Sequence, residues 1–478
     1  MLVRDADGPA VCVGLDLGTG SARALAVAAD GAVAGRGAAE LHSRRDGDRH
    51  EQDAASWWKA VAGACREALR DVAPDRVRAV ATCATSGTIV LVDRDGEPLT
   101  PALMYDDGRA AEQAERLGLA TSWALPKLAW LLEHDPAARA PGARLTHQPD
   151  VVNRRLVGQP VASDSSHALK TGYDPGRDRW GDAAEPAELL PDVVAPGTAL
   201  GTVCTQAAEQ TGLPAGIPVV AGMTDGCAAQ IAAGALRPGD CNSVLGTTLV
   251  LKGCSRERIE DRAHGVYSHR SPDEGWLPGG ASSSGAGVLP ATFPDRDLDE
   301  LGRRAAEHER TSVLAYPLVS RGERFPFAAP DARAFMLGTP ADEGEHAAAL
   351  LQGLALVERL CLARLEQLGA PTGGELSLTG GAARSRPFCR LRAEVLGREV
   401  RLPESAEGAF GMALLAASSA EPLREAAARM VRVREVIEPQ PDKFDRFREP
   451  YLRLVEELER RGWLDSAVAD HARERAGA

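Results

Sequence analysis

The sequence predicts an α/β protein made of two similar halves. Short apolar runs rich in Val, Leu and Ala alternate with amphipathic segments whose apolar residues recur every three or four positions. This is the pattern of strands that alternate with helices. The arrangement strand, Gly/Thr turn, strand also occurs twice, at 10–29 and 241–253. This faint repeat, together with a length of 478 residues, indicates two or three domains.

A β-meander opens the N-terminal half. Apolar runs bounded by turn residues predict three consecutive strands, at 10–18, 22–29 and 32–42. Asp53 is a suitable N-cap for an amphipathic helix from Ala54 to about Arg70. Strands are predicted again at 77–84 and 88–93. Because several strands precede the first helix, the pattern is not that of a simple βαβ Rossmann start.

The middle of the chain, about 120–200, is richer in Pro, Asp and polar turns, and we expect it to be more helical. The strand signal IPVVAG then begins the second half. There the patterns predict two strands within 241–253, a long helix at 343–368, and a strand, glycine turn and helix at 375–388.

These patterns divide the chain. We predict an N-terminal domain at 10–220, a C-terminal domain at 221–440 and a helical C-terminal tail at 441–478. The segment from Phe447 to Ala478 has the pattern of a charged amphipathic helix. Such helices are usually solvated, so we expect this tail to lie on the surface.

Composition and charge exclude several classes of protein. A formal charge of -13 gives no overall attraction for nucleic acid or anionic lipid, so neither is an expected partner. The nine cysteines contain no CxxC pair, which argues against a zinc site. No apolar run reaches the ~18 residues of a membrane span and no signal peptide pattern opens the chain, so a cytoplasmic location is expected.

The first motif with chemical meaning is the turn GLDLGTGS at 14–21. Glycines such as Gly20 let backbone N–H groups approach phosphate oxygens, because no Cβ blocks them, and Thr19 and Ser21 add hydroxyl donors. Asp16 brings a carboxylate to the same turn, where it can hold a metal directly or through water. The alternative is a plain hairpin turn. A Rossmann phosphate loop is disfavoured, because its third glycine is missing and a strand follows.

The second motif is AGMTDGCA, in which Asp225 follows a buried strand and precedes a small-residue helix. Phosphoryl transfer requires that the attacking hydroxyl be positioned and that its proton be accepted. A carboxylate can do both, and a general base contributes typically ~10²–10⁴-fold. The alternative is that Asp225 only caps the helix N-terminus. The residues alone leave both interpretations open.

Two further glycine turns follow strands in the second half. The string LGTT repeats the design of the first turn, with Gly246 for close approach and Thr247 to offer an N–H and a hydroxyl to phosphate. The string TGGA places Gly380, Gly381 and Ala382 after a strand, where they leave a flat surface on which a nucleoside can lie. Neither turn is specific alone.

In this order the four motifs resemble those of the FGGY carbohydrate kinases, a branch of the actin-like, ribonuclease-H-like ATPases. The resemblance covers about residues 11–451 and is far more specific than any single motif. It is carried by the strings GLDLGTGSARA, GMTDGCAAQIAAGA, SVLGTTLVL and LTGGAARSRPF, and by EQDAASWW, in which Ala54 replaces a proline. It implies two actin-like (ribonuclease-H-like) α/β domains with a cleft for ATP and sugar between them.

The resemblance also implies roles for the motif residues. Asp225 would be the general base on the sugar hydroxyl, and Asp16 and Asp225 would organise Mg²⁺. The implied sugar-binding residues are Ser86, Asp106, Asp107 and Asp225. The implied ATP-binding residues are Thr19, Gly20, Ser21, Gly246, Thr247, Gly380, Gly381 and Ala382.

The expected substrate is a ketopentose. D-Ribulose, which would be converted to D-ribulose 5-phosphate, is the favoured candidate. The string TSGT at 85–88 stands where xylulose kinases usually carry Gln-His-Gly, and it resembles the D-ribulose kinase, xylulose-kinase-like branch. The strings HALKTGYDP, HGVYSH and SRGERFPF agree with that branch. Within the last, Glu323 and Arg324 are expected to form a buried structural pair. D-Xylulose, or another sugar or polyol of the family, is the alternative substrate.

Two other classes of protein share parts of this pattern. An actin-like ATPase that acts as a switch would have no use for the TSGT string or for Asp225. A non-catalytic carbohydrate sensor is disfavoured, because Asp16, Thr19 and Thr247 are also intact. The expected partners are therefore a small sugar and ATP with Mg²⁺, and the chain is expected to be a monomer or a homodimer.

Overall fold

The computed structural model of the protein describes residues 8–184 and 186–477, and the side chains of 441–443 and 477 are not part of the description. The strands are β1 Val11–Leu17, β2 Ser21–Ala28, β3 Val33–Glu40, β4 Ser43–Asp46, β5 Arg49–Gln52, β6 Val77–Ala84, β7 Ile89–Val92, β8 Ala102–Leu103, β9 Arg144–His147, β10 Ser163–Asp164, β11 Tyr173–Asp174, β12 Arg179–Trp180, β13 Val193–Val194, β14 Ala199–Thr202, β15 Pro218–Val220, β16 Cys241–Leu245, β17 Leu249–Gly253, β18 Tyr267–Arg270, β19 Trp276–Ala281, β20 Leu314–Tyr316, β21 Phe335–Leu337, β22 Leu376–Thr379, β23 Val400–Pro403 and β24 Val433–Ile437.

The α-helices include the two predicted at about 54–70 and 343–368, and these two have bounds close to those expected. The helices are α1 Ala54–Ala68, α2 Ala111–Leu117, α3 Ala124–His134, α4 Gln148–Val157, α5 Ser165–Ala168, α6 Thr205–Thr211, α7 Asp225–Ala232, α8 Val288–Thr292, α9 Leu298–Ala306, α10 Glu343–Gln367, α11 Arg386–Leu396, α12 Gly408–Ala417, α13 Leu423–Met430, α14 Pro441–Arg460 and α15 Ser466–Gly477. Asp53 caps α1 as predicted, since its side chain accepts a hydrogen bond from Ala55 N at 3.0 Å.

The chain forms two compact units. The first consists of residues up to Gly234, with the insertions His269–Glu274 and Glu407–Val431. The second consists of Ala235–Ser268, Gly275–Ala406 and the chain from Arg432 onward. Asp225 therefore lies in the first unit, whereas the sequence analysis assigned residues 221–440 to a C-terminal domain. The reason is that α7 packs against α12 and β6 of the first unit.

The main sheet of the first unit has the strand order β14-β15-β6-β1-β2-β3. β1 pairs antiparallel with β2 and parallel with β6, and β6 pairs parallel with β15. Helix α12 lies against β1 so closely that a Cβ on Gly14 would sit 1.7 Å from the Ala409 carbonyl oxygen. A second sheet, β4-β5-β8-β7-β9, carries the loops that follow β6 and β8.

The main sheet of the second unit has the order β18-β19-β17-β16-β22-β23-β24. β16 and β17 form an antiparallel hairpin, and β16 pairs parallel with β22. Each unit therefore has a meander of three antiparallel strands beside two further strands that run parallel to the first. The faint sequence repeat reflects this shared topology.

The C-terminal segment differs from the solvated tail that we expected. Helices α14 and α15 pack into the core of the second unit, where their apolar residues are buried. These are Phe447, Tyr451, Leu454, Val455, Leu458, Leu464, Val468, Ala469 and Ala472. The many charged residues along these helices led to the prediction of a solvated tail, although the apolar residues between them form a continuous buried face. In the part of the chain that the structure describes, no helix is long and apolar enough to cross a membrane.

Candidate active site

Three of the predicted site residues lie at one edge of the first unit's sheet. Asp16 lies near the end of β1, Ser86 follows β6, and Asp225 follows β15. These strands are parallel neighbours in the order β15-β6-β1, and a bridge between Ala84 and Thr224 extends the pairing to the strand ends. Ligands of open α/β sheets bind outside the carboxyl ends of such strands, so this edge is the candidate active site of the unit.

The first glycine turn is a tight hairpin with an open surface. Gly18 N donates to Ser21 O at 3.0 Å, and Gln52 Nε2 donates to the Thr19 carbonyl at 2.7 Å. Trp57 Nε1 in turn donates to Gln52 Oε1 at 2.7 Å. An added Cβ on Gly20 would meet nothing within 4 Å. The turn is thus fixed from behind by the EQDAASWW segment and left free in front, as a phosphate-binding turn requires.

Asp16 is a buried carboxylate whose negative charge is only weakly balanced by its neighbours. Its residue is 9% exposed, its Oδ2 lies 3.9 Å from Arg23 Nη1, and Cys83 Sγ donates to Oδ1 at 3.5 Å. Burial, and next the negative charge of Asp225, raise the pKa of Asp16 from 3.8 to about 6. A nearby cation would stabilise the ionised form of such a carboxylate and so lower its pKa.

Asp225 is the first residue of α7, and its side chain is exposed. The N-cap position is occupied by Thr224, whose side chain makes no capping hydrogen bond. Among the described residues, Asp225 Oδ1 accepts a hydrogen bond only from the backbone N–H of the adjacent Gly226, at 2.7 Å. The alternative that Asp225 is the N-cap is therefore wrong, and its carboxylate is accessible at the positive end of a helix dipole.

The donor set at this edge fits a magnesium ion. Mg²⁺ is usually held by one or two carboxylates, with waters and substrate phosphates completing the octahedron. Asp16 and Asp225 supply two hard oxygen donors, and the negative charge of Asp225 disfavours the ionised form of Asp16. Among the described residues no cluster of three or more His, Cys, Asp or Glu side chains could hold a metal by itself.

A buried ion pair fixes the two strand ends that precede Ser86 and Asp225. Asp164 Oδ1 accepts from Ser166 Oγ at 2.7 Å, and Ser166 Oγ accepts from Thr224 N at 2.9 Å. Asp164 Oδ2 lies 2.6 Å from His167 Nδ1, and His167 Nε2 lies 3.3 Å from the Ala84 carbonyl oxygen. Burial alone would lower the pKa of His167, but the charge of Asp164 raises it overall. A protonated imidazole can donate on both sides, which holds Ala84 and Thr224 in place.

The described hydroxyls of the TSGT loop are hydrogen-bonded except for one. The Thr85 backbone N and Oγ1 donate to Gln148 Oε1 at 3.2 and 2.7 Å, and Thr85 Oγ1 also lies 2.6 Å from Thr88 Oγ1. Ser86 Oγ is buried and has no hydrogen-bond partner among the described residues. Buried hydroxyls are seldom left unpaired, so Ser86 is a candidate donor or acceptor for a ligand.

Lys127 joins this loop to the loop that carries Asp106 and Asp107. Its ammonium group is fully buried, and four backbone carbonyl oxygens within hydrogen-bond distance share its three N–H groups. The acceptors are Gly87 at 3.3 Å, Tyr105 at 3.2 Å, Thr121 at 3.0 Å and Trp123 at 3.1 Å. Burial, with nearby positive charge, lowers the pKa of Lys127 to about 7. The sequence analysis did not single out this residue, although a lysine within the apolar run ALPKLAWLL was a visible signal.

The two acidic residues of the second loop differ from each other. Asp107 is fully buried, and its oxygens accept from His50 N at 2.7 Å and from Arg109 Nε and Nη2 at 2.8 Å. Asp106 is partly exposed, accepts from Arg45 Nη2 at 2.8 Å and contacts His50 Nδ1. Because the Asp107 carboxylate is already engaged, its geometry favours a structural role over the direct sugar contact that we expected. Asp106 is the more accessible of the two.

In the second unit, the LGTT turn is supported from behind by a glycine segment. Gly246 N donates to Thr248 O at 3.1 Å, and Ala286 N donates to Gly246 O at 2.9 Å. A Cβ on Gly287 would lie 2.8 Å from the Thr247 Cγ2 atom. A Cβ on Gly246 would meet nothing within 4 Å. The outer surface of the turn is therefore open, like that of the first unit's turn.

The TGGA turn lies beside the LGTT turn because β16 and β22 are parallel neighbours. Gly380 adopts φ +83°, and a Cβ there would lie 2.6 Å from the Leu245 carbonyl oxygen, so this glycine is required by the fold. A Cβ on Gly381 would meet nothing within 4 Å, and Ala382 is half-buried against the core. The two predicted nucleotide motifs thus meet at one edge of this sheet.

Glu323 is buried, but it does not pair with Arg324 as expected, since Arg324 is exposed. Its carboxylate instead accepts hydroxyl hydrogens from Ser282 at 2.9 Å, Ser284 at 3.3 Å and Tyr316 at 2.7 Å. Ser284 O accepts from Leu249 N at 2.8 Å, next to the LGTT turn. Glu323 therefore supports the strand ends behind that turn.

These features define a class. Both units have a ribonuclease-H-like topology. The first carries a buried and an accessible carboxylate at its strand ends, and the second carries two neighbouring glycine turns. This combination is typical of an actin-like phosphotransferase. The α/β, two-domain prediction is thereby confirmed.

The chain belongs to the FGGY family of carbohydrate kinases: residues 11–232 match the N-terminal domain of the family and residues 241–420 match its C-terminal domain. It is a sugar kinase. A xylulose kinase of Streptomyces coelicolor is 34% identical over 84% of this chain and 86% of that protein. The L-xylulose/3-keto-L-gulonate kinase of Escherichia coli K12 is 27% identical over 77% and 79%. The crystal structure of a xylulose kinase from Rhodospirillum rubrum, 25% identical, superimposes with a TM-score of 0.84 over 94% of this chain and 99% of that one.

Proposed function

We propose that this enzyme transfers the γ-phosphoryl group of ATP to a hydroxyl of a ketopentose, with D-xylulose as the preferred acceptor. The observation that carries the proposal is the exposed carboxylate of Asp225, held beside Asp16 at the ends of parallel strands in a chain similar to xylulose kinases over most of its length. No other described carboxylate at this edge combines accessibility with a position at a helix N-terminus.

In this proposal Asp225 accepts the proton of the attacking hydroxyl. Phosphoryl transfer needs little covalent chemistry from the protein, so orientation of the hydroxyl and acceptance of its proton account for most of what a side chain contributes. The buried network of Asp164, Ser166 and His167 keeps Thr224, and with it the start of α7, in a fixed position. Ser86 Oγ, which is buried and unpaired among the described atoms, is proposed as a sugar contact.

Each unit is proposed to contribute phosphate contacts through its own open turn. In the first unit these residues are Thr19, Gly20 and Ser21, and in the second unit they are Gly246 and Thr247. The Gly380–Ala382 turn would receive the nucleoside. Mg²⁺, held by Asp16 and Asp225, would neutralise charge on the β- and γ-phosphate oxygens. Asp16 is ionised above pH ~6, so it can serve as a ligand at neutral pH.

The acceptor was expected to be D-ribulose, and the comparisons favour D-xylulose instead, because the similar proteins are xylulose kinases. D-Ribulose is the alternative acceptor. The TSGT loop supports it, because this loop has a serine hydroxyl where xylulose kinases usually carry Gln-His-Gly. The two ketopentoses differ in configuration at one carbon, so a single contact of this kind can separate them.

The test is steady-state ADP release with ATP and Mg²⁺ against D-xylulose, D-ribulose, L-xylulose and glycerol. We expect the highest kcat/KM for D-xylulose. Asp225→Asn should lower kcat about 10²–10⁴-fold, the range of a general base. Asp299→Asn is the matched control, because it removes an exposed carboxylate of α9 that takes no part in the proposed site. A higher kcat/KM for D-ribulose would reverse the substrate assignment and leave the base assignment intact. Full activity of Asp225→Asn would overturn the mechanism.

A further inference from the structure

The second unit contains a positively charged cavity that the proposed reaction does not use. Its volume is about 310 Å³, and its lining includes Arg359, Arg398, Arg475, Glu366, Tyr451 and Phe444. These residues come from α10, α14, α15 and the loop after α11, and the described lining contains no residue of the LGTT or TGGA turn. Three arginines against one glutamate give the cavity a net positive charge in a protein whose formal charge is -13.

Arg359 is the central group of this cavity. It is only 8% exposed, and its one hydrogen bond to a described residue is a long one, 3.4 Å from Nη1 to the Val395 carbonyl oxygen. Among the described side chains no carboxylate lies within ion-pair distance of it. A buried guanidinium has five N–H donors and a large desolvation penalty. Within the described part of the chain, the charge of Arg359 therefore lacks the partner that such a group normally has.

The aromatic neighbours determine how Arg359 can meet a ligand. The rings of Tyr451 and Phe444 lie 4.4 and 4.6 Å from its Cζ atom. Stacking on a guanidinium covers its flat faces and leaves the N–H edge free, and this edge matches the two oxygens of a phosphate or carboxylate. Tyr451 is fully buried, and its hydroxyl has no hydrogen-bond partner among the described residues.

The other two arginines are arranged differently. Arg398 donates to the Thr372 carbonyl at 2.6 Å and to the Gly374 carbonyl, and among the described residues it forms no ion pair. Arg475 is paired with Glu366, through Nε at 2.8 Å. Glu366, the one carboxylate among the described lining residues, is thus neutralised by Arg475. No described side chain gives Arg359 or Arg398 a counter-charge. The charges of Arg475 and Arg448 add to the burial that lowers the pKa of Arg359.

We propose that this cavity is a second ligand site, which binds a small phosphorylated anion through the N–H edge of Arg359 and the hydroxyl of Tyr451. The ligand is either free phosphate or the phosphate group of a small metabolite, since both present the same oxygens. The site is separate from the proposed sugar and nucleotide sites, so it would allow the abundance of phosphorylated compounds to act on this enzyme from outside its active site.

The test is isothermal titration calorimetry of the full chain with inorganic phosphate and, in a second series, with D-glucose 6-phosphate. Arg359→Met keeps the stem that packs against the rings and removes the guanidinium. It should weaken binding at least about tenfold, as loss of a charged hydrogen bond does. Tyr451→Phe removes one hydroxyl and should weaken binding a few-fold. The matched control is Arg303→Met, at an exposed arginine of α9, which should leave affinity unchanged.

Binding of both probes would assign the site to the phosphate group of a metabolite, and binding of inorganic phosphate alone would assign it to the free ion. Equal affinity of the wild type and Arg359→Met, or no heat with either probe, would overturn the proposal and leave a cavity that holds water. If Arg359→Met does not fold, the decision rests on Tyr451→Phe against Arg303→Met. Basal kinase activity in phosphate-free buffer should be unchanged in Arg359→Met, so failure of this site and failure of the proposed function are distinguishable.

Discussion

Replacing Asp16 by asparagine should stabilise the unliganded protein while it removes kinase activity. Burial, and then the charge of Asp225, raise the pKa of Asp16 from 3.8 to about 6. Each pKa unit between the folded and unfolded states corresponds to about 1.4 kcal/mol. The ionised carboxylate therefore destabilises the folded state by about 3 kcal/mol at neutral pH. Asparagine has nearly the same shape and no charge, so this penalty should disappear.

The sign of the pH dependence follows from the same shift. Because the folded pKa lies above the unfolded one, protonated Asp16 adds stability below about pH 4, and this contribution is lost as the pH rises through about 6. The wild type and Asp16→Asn should thus be equally stable at about pH 4 and differ by about 3 kcal/mol at about pH 8. For a unit of this size such a difference corresponds to a rise in Tm on the order of 5 °C.

The measurement is differential scanning calorimetry of both proteins across this pH range in buffer with EDTA, so that no divalent ion compensates the charge. Asp225→Asn is the matched control, because it removes an exposed carboxylate from the same edge and should change Tm far less. Both variants should lose activity. If Asp16→Asn is no more stable than the wild type at about pH 8, or if the gap does not change with pH, the argument from desolvation is refuted.

Three further predictions concern residues that support the site. Lys127→Met should raise the sugar KM about tenfold or more with little change in the ATP KM, because only the sugar-side loops lose their common donor; parallel changes in both KM values would contradict this. Asp164→Asn should destabilise the protein by about 3–5 kcal/mol in thermal unfolding, as loss of one partner of a buried ion pair does, and the paired change Asp164→Leu with His167→Leu should recover stability but not kcat. Glu323→Gln should raise the ATP KM and spare the sugar KM, since it weakens the hydroxyl cluster behind the LGTT turn; an unchanged ATP KM would show that the cluster is not needed there.

Much of the fold followed from the sequence because its signals were local. The strands around both glycine turns, the N-cap at Asp53 and the long helix α10 each depend on residues close together in the chain. The C-terminal helices were misjudged for the opposite reason. Their apolar residues are separated by many charges, and only the shape of the core that they fill shows that both helices are internal.

The sequence predicted the carboxylates at the strand ends, but not the residues that hold those strand ends in place. Asp16 and Asp225 stand next to strand ends, and parallel strands bring such ends together. The partners that fix them lie far away in sequence: Asp164 acts on Thr224, and Lys127 acts on Gly87. Nor could the sequence distinguish Asp106 from Asp107, since adjacent residues differ here only in which side of the loop they face.

The path of the chain also bears on how the protein is made. Helix α12, which covers β1 in the first unit, is synthesised after almost the whole sheet of the second unit, and α14 and α15 complete the second unit later still. The first unit therefore cannot close on the ribosome when its own strands emerge, although domains generally fold in order of synthesis. Until residues 408–417 appear, the apolar surface around Gly14 has no cover, and the nascent chain has to be kept from aggregating for most of its translation. The first unit can close once 407–431 have been made, and the second unit closes after it, when α14 and α15 follow.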